Sequence, residues 1–160
     1  MRTIELKTKI KCCSYDELDE KQKALVDVAK KQTAHSYCPY SHFHVGAAAR
    51  LKNGEIVLGC NQENAAYPSG LCAERAALFA AGAHYSDQPV ESLAIACFTD
   101  GHFTKDPGSP CGACRQVMTE TEHRYGGNME VILYGEDKTY IFQSAKDLLP
   151  LVFVSENLEG

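Results

Sequence analysis

Two short stretches hold the side chains best suited to chemistry: Cys72-Ala73-Glu74-Arg75 and Pro110-Cys111-Gly112-Ala113-Cys114-Arg115-Gln116. Cys111 and Cys114 are three apart, so at the start of a helix both sulfurs can face one point. Cys72 can join them from a second helix. Three thiolates make a zinc site with one open position, whereas structural zinc is usually closed off by four protein ligands. No fourth cysteine or histidine stands at suitable spacing beside either cluster. Glu74 lies two residues after Cys72, where it can flank a metal without binding it. A bare Cys-x-x-Cys pair could also be a redox dithiol, but that reading leaves Cys72 and Glu74 unused and has no thioredoxin-like sequence around it. Without the cysteines, Glu74 would be an ordinary helix-start carboxylate and Arg75 a solvated charge. With them, both gain a role beside the sulfurs.

The elements that must position these residues can be read from periodicity and breakers. Asp16 to Thr33 is rich in helix formers, with Leu18, Leu25, Val28 and Ala29 at helical spacing. The lysines 21, 23, 30 and 31 then form a solvated face. Val45, Ala47, Ala49 and Leu51 alternate along a strand, and Asn53-Gly54 leads into a second apolar run, Ile56 to Cys60, as in a hairpin. A loop, Asn61 to Leu71, precedes an alanine-rich helix from Cys72 to Ala83. Ser92 to Phe98 reads as a buried strand, 100–110 as a turn-rich loop, and Cys111 to His123 as a second helix like the first. Strands follow at Met129–Tyr134 and Tyr140–Phe142, then a short helix at Ser144–Leu149. Helix, hairpin, then helix and strand in alternation imply a three-layer α/β fold with a central mixed five-stranded sheet covered by helices. Both cysteine clusters fall where a loop becomes a helix.

Length and composition bound the partners. The chain has 160 residues, 44% of them apolar, which suits one domain spanning 1–160, with 1–15 as a loose extension. The net charge of −5 argues against a protein built to hold a phosphate backbone. No apolar run approaches the length of a bilayer crossing, and the start, MRTIELKTKIKCC, lacks the apolar segment of a signal peptide. The expected compartment is the cytoplasm, where thiols stay reduced and closely spaced cysteines bind metal or do chemistry. Cys12, Cys13, Cys38, Cys60 and Cys97 read as plain thiols, Cys97 as packing. The six histidines are scattered and receive no role.

The segments CPYSHFHVGAAA, GCNQENAAYPSGLCAERAAL, SPCGACRQV and DLLPLVFVSENL together resemble the cytidine deaminase family in its small-subunit, homotetrameric form. The likeness runs from about Tyr37 to Leu158. It also fits the general signature of zinc deaminases, with cysteine as the first ligand. The resemblance implies hydrolytic deamination of cytidine and 2′-deoxycytidine, as in pyrimidine salvage. Cys72, Cys111 and Cys114 would hold one Zn2+ per subunit, and Glu74 would act as base and then acid. By the same resemblance Asn61 and Glu63 hold the ribose 3′-hydroxyl, Phe43 stacks on base or sugar, and the Ala73 backbone helps read the pyrimidine edge. Tyr67 and Phe153 align with aromatics at subunit interfaces, which implies a homotetramer with shared sites. Three thiolates on a dication leave the site formally at −1. The two helix amino termini offset that charge, and Arg75 would tune the metal without touching substrate. Taken without the resemblance, Asn61 and Glu63 could simply shape a turn, and Phe43 could be core. The implied partner is a small nucleoside, with no nucleic acid and no membrane. The alternatives are a deaminase of an aminonucleoside antibiotic such as blasticidin S, and a non-catalytic zinc-stabilised binding module.

Overall fold

The computed structural model describes residues 1–158. Its elements are β1 (Lys11–Cys13), α1 (Glu20–Gln32), β2 (His44–Leu51), β3 (Ile56–Cys60), α2 (Ala73–His84), β4 (Val90–Thr99), β5 (His102–Phe103), α3 (Gly112–Tyr125), β6 (Glu130–Tyr134) and β7 (Thr139–Phe142). The sheet runs β1-β7-β6-β4-β2-β3, with β5 hairpinned onto β4. Among the described strands only β4 and β6 pair in parallel, joined through α3; the other strand pairs are antiparallel. The sheet is therefore mixed and covered by helices, but it has seven strands, not the expected five.

Both extra strands have local causes. Asp100 and Gly101 take φ of 52° and 83°, the left-handed pair that turns β4 back into β5. Lys11, Cys12 and Cys13 pair with Ile141, Tyr140 and Thr139, so part of the segment expected to be loose extends the sheet at its edge. The amino-terminal helix also starts later than its periodicity suggests. Asp19 caps Glu20–Gln32 by accepting from the Gln22 N–H at 2.8 Å, and Tyr15–Glu17 forms a separate 3-10 turn.

Alternation along β2 decides the layers. Ala47, Ala49 and Leu51 face one core with Ala73, Ala77 and Leu78 of α2 and Met118 of α3. Ala48 faces the other with Leu25, Val26 and Ala29 of α1. Lys30 departs from the expected solvated face: its Nζ lies 4.5, 5.0 and 5.3 Å from the ring centres of Tyr134, Phe103 and Tyr15, which pin α1 by cation–π attraction. No helix among the described residues is long and apolar enough to cross a membrane.

One glycine sets the distance between α2 and the sheet. A Cβ on Gly59 would lie 2.3 Å from the Ala73 carbonyl oxygen and 2.4 Å from the Ala77 nitrogen. Both are backbone atoms of α2, so the whole first turn of that helix would have to move. Gly59→Ala is expected to cost about 1–3 kcal/mol of stability by this overpacking. Denaturant unfolding checks the value, and metal content of the same variant should fall because the displaced turn begins at Cys72.

Candidate active site

Cys72 and Cys111 are the capping residues of α2 and α3, each extended in backbone and immediately before the first helical residue. Both residues therefore stand at positive helix ends. Cys114, one turn into α3, is fully buried beneath them. The three sulfurs all lie within 4.8 Å of one another, with Cys72–Cys111 at 3.8 Å and Cys111–Cys114 at 3.5 Å. Tetrahedral zinc with bonds of about 2.3 Å to sulfur needs sulfurs about 3.8 Å apart, and the Cys72–Cys111 and Cys111–Cys114 separations are close to that. Among the described residues no histidine, carboxylate or fourth cysteine joins the group, which leaves one coordination position outside the protein.

The groups around Cys72 are arranged to hold it as thiolate. Hydrogen bonds from the Cys114 thiol and the Arg75 guanidinium push Cys72 well below the ordinary thiol range. Cys114, giving that hydrogen bond from a buried position, is pushed up. Arg75 Nη2 lies 3.7 Å from Cys72 Sγ, and the contact raises the Arg75 pKa in turn. Glu74 is only 5% exposed. Burial raises its pKa, and the neighbouring Cys72 charge adds to the rise. Cys97 packs in β4 near Glu74; burial first, and the Glu74 charge second, push its thiol up to about 12. It is therefore a neutral filler, in keeping with its expected packing role.

Asn61, Gln62 and Glu63 form an extended bridge between two other loops. Gln62 exchanges backbone hydrogen bonds with Leu71 at 2.8 and 2.9 Å, just before Cys72. On the other side the Tyr37 N–H donates to the Asn61 carbonyl at 3.0 Å and the Glu63 N–H to the Tyr37 carbonyl at 2.7 Å. As the period of two requires, Asn61 and Glu63 project to one side, toward segment 40–45. The Asn61 amide donates to the Phe43 carbonyl at 2.8 Å and accepts from the Val45 N–H at 2.8 Å. One Glu63 oxygen accepts from the N–H groups of Tyr40 and Ser41 at 2.9 and 3.2 Å. The Ser41 hydroxyl and these N–H groups hold the Glu63 carboxyl below its usual range. Both residues thus fix the loop that carries Phe43, whose ring is partly exposed. One amide hydrogen of Asn61 and lone pairs of Glu63 remain for a ligand.

Ala73 is fully buried as the first residue of α2. Tyr67 and Phe153 are not drawn into the sulfur group: they are 80% and 56% exposed. Sequence reading missed Arg115 and Gln116, which hydrogen-bond backbone carbonyls from the turn immediately behind Cys114. The signal was present in the motif CGACRQ, but nothing in the sequence says where a side-chain donor will find a distant carbonyl.

The chain is similar to known proteins in sequence and in fold. The family model for the cytidine and deoxycytidylate deaminase zinc-binding region matches residues 19–125. A cytidine deaminase of Halalkalibacterium halodurans is 42% identical over 127 residues, covering 77% of this chain and 86% of its own. One from Sporosarcina psychrophila is 41% identical over 134 residues, covering 84% and 92%. The crystal structure of cytidine deaminase from Burkholderia pseudomallei superposes with a TM-score of 0.69 at 39% identity, over 85% of this chain and 100% of that one. Two helix starts bearing cysteine, a buried glutamate between them and this degree of likeness leave one assignment: the chain belongs to the cytidine and deoxycytidylate deaminase family.

Proposed function

We propose that this chain is a zinc-dependent cytidine deaminase, converting cytidine and 2′-deoxycytidine with water to uridine and 2′-deoxyuridine and ammonia. The observation that carries the reading is the set of three sulfurs at two helix amino termini with the buried Glu74 carboxyl beside them. Cys72, Cys111 and Cys114 would hold the ion, which when bound supplies the Lewis acidity that makes water a nucleophile at neutral pH. Glu74 takes a proton from the attacking water and returns it to ring N3. It then carries the second proton to the amino group leaving C4, so one carboxyl serves as base and acid in turn. Burial suits that task, because a desolvated carboxylate binds a proton more readily than an exposed one. Arg75 offsets the excess negative charge of the thiolates through Cys72. Ammonia release from cytidine, cytosine, adenosine and blasticidin S tests the reading; turnover confined to blasticidin S, or none at all, would overturn it.

Asn61 and Glu63 form the proposed ribose subsite, with Phe43 stacking on the nucleoside and the Ala73 backbone reading the base edge. A carboxylate that a bound nucleoside covers and pairs through a hydroxyl penalises a substrate that lacks the hydroxyl. Cytosine and 2′,3′-dideoxycytidine are therefore expected to fall at least about a hundredfold below cytidine in kcat/KM, while deoxycytidine stays close to it. Glu63→Ala should lower cytidine turnover and narrow its lead over the dideoxy compound. Equal kcat/KM for cytosine and cytidine would show that Asn61 and Glu63 only hold the loop.

A homotetramer with shared sites belongs to the same reading. The rings of Tyr67 and Phe153 are exposed in the single chain, as residues reserved for a neighbour would be. Sedimentation at micromolar concentration should give about four times the monomer mass, and a fully active monomer would exclude sharing. A small acidic enzyme acting on a nucleoside would work in the cytoplasm, where its substrate and reduced thiols are found.

A further inference from the structure

Among the described residues, every side-chain hydrogen bond between segment 148–158 and the rest of the protein involves α3; the one backbone bond is local, from the Leu149 N–H to the Lys146 carbonyl at 3.3 Å. Two of the three α3 side chains involved are the residues after Cys114, Arg115 and Gln116. Arg115 Nε donates to the Pro110 carbonyl at 2.8 Å, and its Nη1 donates to the Leu148 carbonyl at 2.8 Å. Gln116 Nε2 donates to the Phe153 carbonyl at 2.8 Å. Pro110 is buried and precedes Cys111; Leu148 is buried and precedes the tail. One planar guanidinium thus braces the loop entering the sulfur group against the start of the carboxy-terminal segment. A lysine cannot span two such carbonyls in fixed geometry.

The segment itself has little else to hold it. From Leu149 to Val154 it forms neither helix nor strand. Leu151 sits at φ 56°, a left-handed conformation that costs a branched residue energy and needs support from its surroundings. We propose that Arg115 and Gln116 are positioning residues that couple metal occupancy of the cysteine centre to docking of segment 148–154, which carries Phe153. The coupling rests on the zinc reading of Cys72, Cys111 and Cys114. An ion held by Cys111 and Cys114 fixes the first turn of α3 against the loop that Arg115 braces, and hence the direction of its two donors. Coupling between two sites is reciprocal, so whatever steadies the tail also steadies the ion by the same factor.

The test is hydrogen exchange on the full chain with zinc bound and after chelation. Exchange at amides 149–154 should rise about tenfold or more on zinc removal, while that of β4 and β6 stays unchanged. In the other direction, Arg115→Lys and Gln116→Leu should release zinc to a chelator about tenfold faster than the parent protein, from full initial occupancy. Zinc that binds and leaves yet does not alter exchange at 149–154 overturns the coupling alone, whatever the variants do. Release rates equal to the parent in both variants overturn it as well. A protein that takes up no zinc overturns the metal reading and the coupling together.

Discussion

Replacing Glu74 by alanine is expected to lower cytidine turnover about a thousandfold or more while leaving about one zinc per chain. The two halves of that result have separate origins. Turnover falls because no other buried carboxyl lies beside the sulfurs: the other one in the core, Glu122, sits in the last turns of α3. There it accepts from the N–H groups of Met129 and Ala145 and from the Ser144 hydroxyl at 2.7, 2.8 and 2.9 Å, which ties the end of α3 to β6 and the 144–145 turn. Zinc stays because the ligand set contains only sulfur. Glu74→Gln keeps the shape and should be nearly as inactive. Steady-state ammonia release and metal analysis on the same preparation give both answers. Near-normal turnover would remove Glu74 from the chemistry; loss of zinc would make it structural.

The second large effect is on the metal. Cys72→Ala, Cys111→Ala and Cys114→Ala should each reduce bound zinc from about one per chain to a small fraction, with activity lost in parallel. Two sulfurs cannot hold the ion against a chelator when three are needed to leave one open position. The variants should differ in stability. Cys111 is exposed and its loss removes only the ligand, whereas Cys114 is fully buried and its loss also leaves a cavity. Full zinc in Cys72→Ala would remove that residue from the set and point to another donor on α2 or the 61–71 loop.

Most of the architecture was legible because it rests on local rules. Alternation gave β2, Asn53-Gly54 gave the hairpin, and the two cysteine clusters were read at helix starts, where they stand as caps. The two added strands escaped for different reasons. Asp100-Gly101 is itself a hairpin signal, but the strand after it is two residues long, too short to show a period. Lys11–Cys13 carries no apolar alternation, and its partner lies over 120 residues away, which no local pattern reveals. Lys30 was misread for a similar reason. Helical spacing put it among solvated lysines, but Phe103 and Tyr134 arrive from distant strands to receive it. At the site, residue types and spacing singled out three cysteines, which the fold brings together, and Glu74, which it buries. The double duty of Asn61 and Glu63 on loop 40–45 could not be read, because it depends on where a loop folds back.

The pairing of β1 with β7 also imposes an order on biosynthesis. A chain leaves the ribosome amino terminus first, so Lys11–Cys13 emerges while its partner, Thr139–Phe142, has yet to be translated. Closing so long a loop adds only about 0.6 kcal/mol per doubling of its length, so the pairing costs little at equilibrium. In time it must come late. The β2–β3 hairpin and its contact with β4 can form on the nascent chain, whereas β6 waits for α3, and β7 waits for β6. The earliest of these strands to be made is thus the last to be seated, because the edge it joins exists only once β7 has paired with β6.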